Sequence, residues 1–303
     1  MGIVQVAVRL SIVIPSYNSA TTIERCLRSL AIASAETEIV VVDSSTDGTV
    51  RIVAEKFPQV RLIHSETRMY PGDARNAGAA LAGGDIFAFL DADTAVAPDW
   101  AVEVARVHGG PYAAVGGSLL NANPESLVGW AHYLFEFSAW LPHGVDREQN
   151  EIPGGCLSIT REDFARYGPF PGHTYSEDSV LSWRMRAAGE RLLFAPAIRV
   201  FHVNREDLLG LLRDKCRHGR DFAAQRAVSS RLLYAFGAPA LPLLLIWRIA
   251  SRVRPHAPLR RCFWRVCPLI AALAVAWSFG EFCGYLNRPN RLAQEARNGR
   301  ELR

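Results

Sequence analysis

Between residues 10 and 93 short apolar runs alternate with amphipathic stretches, and this alternation constrains the fold more than any other feature. Leu10–Ile14 reads as a buried strand broken by Pro15, and Thr21-x-x-Glu24 fits a capping box for a helix whose Ile23, Leu27 and Leu30 recur at helical spacing. The β-branched run Ile39–Val42 predicts a second strand ending at Asp43. After the Asp47-Gly48 turn, Val50, Val53, Ala54 and Phe57 mark a second helix. Val60–Ile63 is a shorter strand, and Ala74–Leu81 is a helix stopped by Gly83-Gly84. Ile86–Leu90 is a fully apolar strand. Strand and helix in strict turn imply an α/β fold, a mostly parallel sheet with helices on its faces.

Ligands of such sheets bind outside the carboxyl ends of the strands. That rule gathers Pro15–Asn18, Asp43 and Asp91-Ala92-Asp93 on one edge. Two carboxylates spaced two apart point the same way if the backbone stays extended. A pair of hard oxygen ligands there suits a divalent cation carrying a phosphorylated substrate.

Charge divides the chain. Residues 1–204 hold 16 Lys+Arg against 23 Asp+Glu, a balance of −7, whereas residues 205–303 hold 18 against 7, a balance of +11. A basic segment meets either nucleic acid or an anionic membrane face. Leu232–Trp247 is a run of 16 residues without charge and Val266–Gly280 another of 15, which favours a membrane over a nucleic-acid partner. As helices these runs span about 24 and 22 Å, short of a ~30 Å hydrocarbon core. Prolines 239, 242 and 268 interrupt them, and the joining segment carries Arg248, Arg252, Arg254, Arg260, Arg261 and Arg265. The expectation is a membrane-associating region, either a short hairpin or an interfacial dock. The six scattered cysteines, without zinc spacing, read as thiols of a reducing compartment. With no signal-peptide pattern at the amino terminus, a cytoplasmic catalytic domain at a bacterial-type inner membrane is expected.

From 110 to 200 the pattern weakens. Gly116-Gly117, Pro153-Gly154-Gly155 and Pro169-Phe170-Pro171-Gly172 are loop signals; Gly129–Leu141 is an aromatic amphipathic stretch; Val180–Ala188 is a helix candidate behind Glu177-Asp178.

Six segments taken in order resemble glycosyltransferase family 2 over about residues 10–203. They are Ser11-Ile-Val-Ile-Pro-Ser-Tyr-Asn18, Glu38-Ile-Val-Val-Val-Asp43 with Ser45-Thr-Asp-Gly-Thr49, Ala74-Arg-Asn-Ala-Gly78, Ala88-Phe-Leu-Asp-Ala-Asp93, Gly154-Gly-Cys156 and Glu177-Asp178. The resemblance implies a GT-A fold over 1–204, followed by a basic helical region over 205–303, and inverting transfer from a nucleotide-diphosphate sugar. It implies that Pro15, Tyr17 and Asn18 line the nucleobase and ribose pocket, that Asp43 meets the base, and that Arg75 and Asn76 lie near the sugar-diphosphate. Asp91 would touch ribose or sugar, Asp93 and His202 would hold Mg²⁺ or Mn²⁺, and Asp178, with Glu177 beside it, would be the catalytic base.

Each residue has a plainer role: Asp43 suits a turn cap, and Glu177 and Asp178 suit the first turn of a helix. Ser19 stands where the family commonly has an acid, and the Asp43–Asp47 turn is one residue short, which leaves the nucleotide open. No Gln-x-x-Arg-Trp follows Asp178, which argues against a processive polysaccharide synthase. The expected acceptor is a lipid-linked or saccharide molecule at the membrane. The rival expectation is a non-catalytic membrane-bound nucleotide-binding scaffold of the same fold.

Overall fold

The computed structural model describes residues 9–30 and 37–287. Among these, nine strands form one sheet: β1 (Leu10–Ser16), β2 (Glu38–Asp43), β3 (Arg61–His64), β4 (Ile86–Leu90), β5 (Thr94–Val96), β6 (Ala114–Asn121), β7 (Arg147–Gln149), β8 (Cys156–Thr160) and β9 (Leu192–His202). The α-helices are α1 (Ile23–Leu30), α2 (Thr49–Lys56), α3 (Pro71–Leu81), α4 (Trp100–Val107), α5 (Leu127–Phe137), α6 (Arg161–Tyr167), α7 (Glu177–Ala187), α8 (Leu208–Gln225), α9 (Arg231–Gly237), α10 (Leu241–Val253) and α11 (Ala257–Asn287).

The chain forms two compact units, one from the chain up to Leu120 with Trp140–His202, the other from Asn121–Ala139 with the chain from Val203 on. The expected division at 204 therefore misses one element: α5, the aromatic stretch, belongs with the C-terminal helices. Its sequence is amphipathic in either setting, so nothing local reveals which helices it packs on.

In the first unit the sheet runs β3-β2-β1-β4-β8-β6-β9-β5, with β7 on β9. β1, β2, β3 and β4 are mutually parallel neighbours, whereas β8 runs antiparallel to β4 and β6 antiparallel to β8. The parallel half matches the alternation of the first 90 residues. Two local expectations are corrected. Pro15 does not end β1: it stays in register with Val42, while β4 pairs only as far as Val13, so the missing proline N–H faces a side with no ladder bond to make. The capping box at Thr21 does not form: the Thr22 and Ile23 amides donate to the Ser19 carbonyl, and Glu24 binds Arg28 and Lys56 instead.

α3 lies on this sheet through its smallest residues. A Cβ at Gly78 would overlap Val13 Cγ1 and come within 3.2 Å of Val42 Cγ2. Gly78→Val is accordingly expected to destabilise the fold by about 1–3 kcal/mol through overpacking, read as a lower urea midpoint at unchanged slope.

The second unit holds two stretches long and apolar enough to cross a membrane, Arg231–Val253 with 23 residues and Ala257–Leu286 with 30. Both outrun the uncharged runs because flanking residues extend the helices. Pro242 sits in the first turn of α10, where its absent N–H is not missed, and α11 continues through Pro268.

Candidate active site at the strand ends

The site begins where β4 stops. Leu90 is the last strand residue, and Ala92 and Asp93 form a turn in which the Thr94 amide and hydroxyl both donate to the Asp91 carbonyl, at 3.1 and 2.7 Å. The two aspartates thus face one place through a turn, not through the extended alternation expected from spacing. β5 then pairs with β9 in a register that sets Thr94 opposite His202. His202 Nε2 lies 3.5 Å from Asp93 Oδ1, and ligand atoms of Asp91, Asp93 and His202 all fall within 4.8 Å of one another. Two carboxylates and an imidazole at that separation are a donor set that fits Mg²⁺ or Mn²⁺.

Behind this cluster Arg75, projecting from α3, is almost wholly buried. Its Nη2 donates to Asp91 Oδ1 at 2.6 Å, and its Nη1 donates to Glu177 Oε1 of α7. Burial works against the guanidinium charge, but Asp91, Glu177 and Asp178 together hold it on. One cation among three carboxylates leaves an excess of negative charge in a place stripped of water. Burial first, then the Asp178 charge, pushes the Glu177 carboxyl up to about 7 against the pull of Arg75. Burial likewise raises Asp178.

Asp178 follows in the same first turn of α7. Its Oδ2 accepts from the Gly154 amide at 2.8 Å and its Oδ1 from the Ser179 amide at 2.7 Å, which fixes the plane of the carboxylate. The 153–155 loop can lie this close because it lacks side chains: a Cβ at Gly154 would come 2.8 Å from Arg75 Cζ, and one at Gly155 would run into Asp91 Oδ2. The loop signal Pro153-Gly154-Gly155 therefore has a cause, close approach to the Arg75–Asp91 pair.

The other expected residues sort by their contacts. Asp43 is fully buried at the end of β2 and accepts from the Ser45 amide and hydroxyl, with His64 Nδ1 at 3.0 Å; it organises the turn. Asn18, at φ 51°, is tied to that turn: its amide donates to Ser45 Oγ and its Oδ1 accepts from the Thr46 amide. Pro15 is half-buried in β1 beside it. Tyr17 is 40% exposed, with the Arg68 guanidinium 4.2 Å from its ring centroid. Asn76 is placed otherwise than expected: its side chain bonds both the carbonyl and the amide of Phe170, holding the 170 loop. Glu177 is likewise occupied by Arg75, whose other terminal nitrogen holds Asp91. Glu151, which accepts from Ser179 Oγ and Trp183 Nε1, was not foreseen; a lone acid in an irregular stretch carries no signal.

Residues 11–164 match the model of glycosyl transferase family 2. Glycosyltransferase AglE of Haloferax volcanii is 28% identical over 61% of this chain and 64% of its own length. Succinoglycan biosynthesis protein ExoO of Rhizobium meliloti is 47% identical over 29% of this chain and 26% of its own length. The chain thus spans less than two thirds of either relative. Among solved structures, the mannosyltransferase PcManGT from Pyrobaculum calidifontis, in complex with GDP-Man and Mn²⁺, superposes with a TM-score of 0.61 at 21% identity, over 90% of this chain and 87% of that one. S. aureus TarS in complex with UDP-GlcNAc gives 0.52 at 16% identity, over 92% of each chain. The sheet order, the strand-end aspartates and the matched residues agree: the fold is GT-A, and the chain belongs to glycosyl transferase family 2.

Proposed function

We propose that the protein is a metal-dependent, inverting glycosyltransferase that moves a sugar from a nucleotide-diphosphate donor to a membrane-proximal acceptor, a lipid-linked or other saccharide. The observation that carries this reading is the convergence of Asp91, Asp93 and His202 within 4.8 Å, with Arg75 joining Asp91 to the α7 turn that holds Asp178.

In this reading Asp93 and His202 hold Mg²⁺ or Mn²⁺, with Asp91 beside them. When bound, the ion neutralises charge on the departing nucleotide diphosphate. Tyr17, Asn18, Pro15 and Asp43 shape the floor for the nucleoside. Arg75 keeps Asp91 in place and sets the potential around the leaving group. Asp178, aimed by two backbone amides, takes the proton of the acceptor hydroxyl as it attacks. A single displacement from the face opposite the leaving group inverts the anomeric centre. The apolar C-terminal helices support the membrane reading, in which the acceptor is met at the membrane surface and the first unit is cytoplasmic.

The test is a panel of nucleotide sugars with Mn²⁺ or Mg²⁺, read as release of free nucleotide diphosphate. Release with one nucleotide and loss on chelation are expected. Asp93→Ala should lower turnover by about 10²-fold or more at unchanged fold, since a Lewis acid supplies several kcal/mol of charge stabilisation. No release across the panel would favour a nucleotide-binding scaffold instead.

A further inference from the structure

We propose that α9–α10 and α11, each long enough to cross a bilayer, instead lie in the plane of an anionic membrane surface and dock one apolar face into it. This rests on the membrane reading above and specifies its geometry.

The first observation is the packing of α11 on α8. Cβ atoms at Gly280 and Gly284 would overlap the carbonyls of Cys216 and Arg220, and one at Gly219 would overlap the carbonyl of Trp277. The two backbones therefore touch from 216 to 220 and from 277 to 284, and their depths are tied. α8 is a charged helix there: Arg213, Asp214, Arg217, Arg220 and Asp221 lie on it, and Arg213, Arg217 and Arg220 are exposed. This contact lies in the last third of α11, and the uncharged run 266–280 reaches into it, so were that run to span, its carboxyl-terminal end would draw Arg213, Asp214 and Arg217 into the bilayer, where Asp and Arg are strongly disfavoured.

Second, the exposed surface mixes charge and oil at one level. A groove of about 670 Å³ between α8 and α11 is lined by Arg213 together with Leu212, Cys216, Val275 and Phe279. An arginine beside exposed Val275 and Phe279 fits the headgroup–acyl boundary and not the bilayer centre.

Third, the turn between α10 and α11 is basic without relief. From 248 to 265 the chain carries six arginines and no acid, so a spanning hairpin would translocate all six, against the positive-inside bias. Lying flat leaves them facing anionic headgroups, where charge is complementary.

Fourth, the apolar face is large. Leu233, Phe236, Leu243 and Trp247 are 68%, 76%, 75% and 65% exposed, and only 17% of the apolar window in α9–α10 is buried. Exposed patches of this kind mark an interaction site, and the surrounding arginines identify the partner as anionic lipid.

The test uses the full chain expressed in a bacterial host. Cys216, Cys262, Cys267 and Cys283 are replaced by Ala, and single cysteines are placed in the turn, Pro255→Cys, or beyond α11, Gln294→Cys. Membranes are treated with an impermeant maleimide as intact spheroplasts and as inverted vesicles. In-plane docking predicts that both positions label at least about tenfold more in inverted vesicles than in spheroplasts, because the basic turn never crosses. Preferential labelling of either position in spheroplasts overturns the in-plane geometry and leaves membrane association standing. Recovery of the protein in the soluble fraction overturns the membrane reading itself, and the proposal with it.

Discussion

Asp178→Asn is expected to lower kcat by about 10²–10⁴-fold, the contribution of a positioned general base, while donor affinity changes little. The carboxylate is held on both sides, by the Gly154 amide at 2.8 Å and the Ser179 amide at 2.7 Å, so it stands ready without rearrangement. An asparagine keeps the shape but must turn its NH₂ toward one of those two donors, costing about 1–3 kcal/mol of stability, which urea unfolding measures separately. Steady-state transfer and calorimetric donor binding then separate catalysis from the pocket. A variant that keeps more than a tenth of the wild-type rate removes Asp178 from the role of base.

The same residue predicts a pH profile. Burial raises the Asp178 carboxyl above the ordinary aspartate range, and the base works only when ionised. Transfer is therefore expected to fall on acidification, with its midpoint above the usual aspartate value of about 3.9. The limb should vanish in Asp178→Asn.

Arg75→Ala is expected to be the most destabilising single change in the site, about 3–5 kcal/mol, because it strips the partner from a buried ion pair. The side chains of Arg75 and Glu177 are 3% and 6% exposed, so neither charge has water to fall back on. Arg75→Lys should recover part of this and not all, since an ammonium cannot reproduce a planar fork that reaches Asp91 and Glu177 together. The loss should also depend on pH in a definite sense. Glu177 is pushed up to about 7 in the fold, above the unfolded value of about 4.3, so its proton stabilises the folded state. That contribution is complete below the unfolded pKa and disappears as pH rises through the folded one. Without Arg75 the ionised carboxylate is worse placed, so Arg75→Ala should be most destabilised at pH 8 and recover toward pH 5. Chemical denaturation across that range measures it; equal losses at both ends would show that Glu177 does not sense Arg75.

Both predictions concern residues visible in the chain whose partners were not. The apolar run Ile86–Leu90, the β-branched Ile39–Val42 and the small residues of Ala74–Gly78 each specify their element locally, because burial pattern and chain stiffness act over a few residues. Five-residue strands joined by helices leave little choice but parallel pairing, so the edge carrying Asp43 and Asp91–Asp93 followed from order alone. Family resemblance named the acids but not their company. Arg75 joins Glu177 across 102 positions, and Asn76 reaches Phe170 across 94, so one neighbour stays in the site while the other braces a loop.

What the sequence determined by itself, then, is the alternating sheet, the aspartates at its strand ends, and the basic, apolar character of the rear. Tertiary structure decided the rest: the pairing of β5 with β9, Thr94 opposite His202, supplies the register behind the Asp93–His202 pair that the resemblance implied, and α5 joins the C-terminal helices. Pairing register and helix packing are settled by surfaces that meet only after the chain has folded, and no stretch of a dozen residues contains both sides of such a contact.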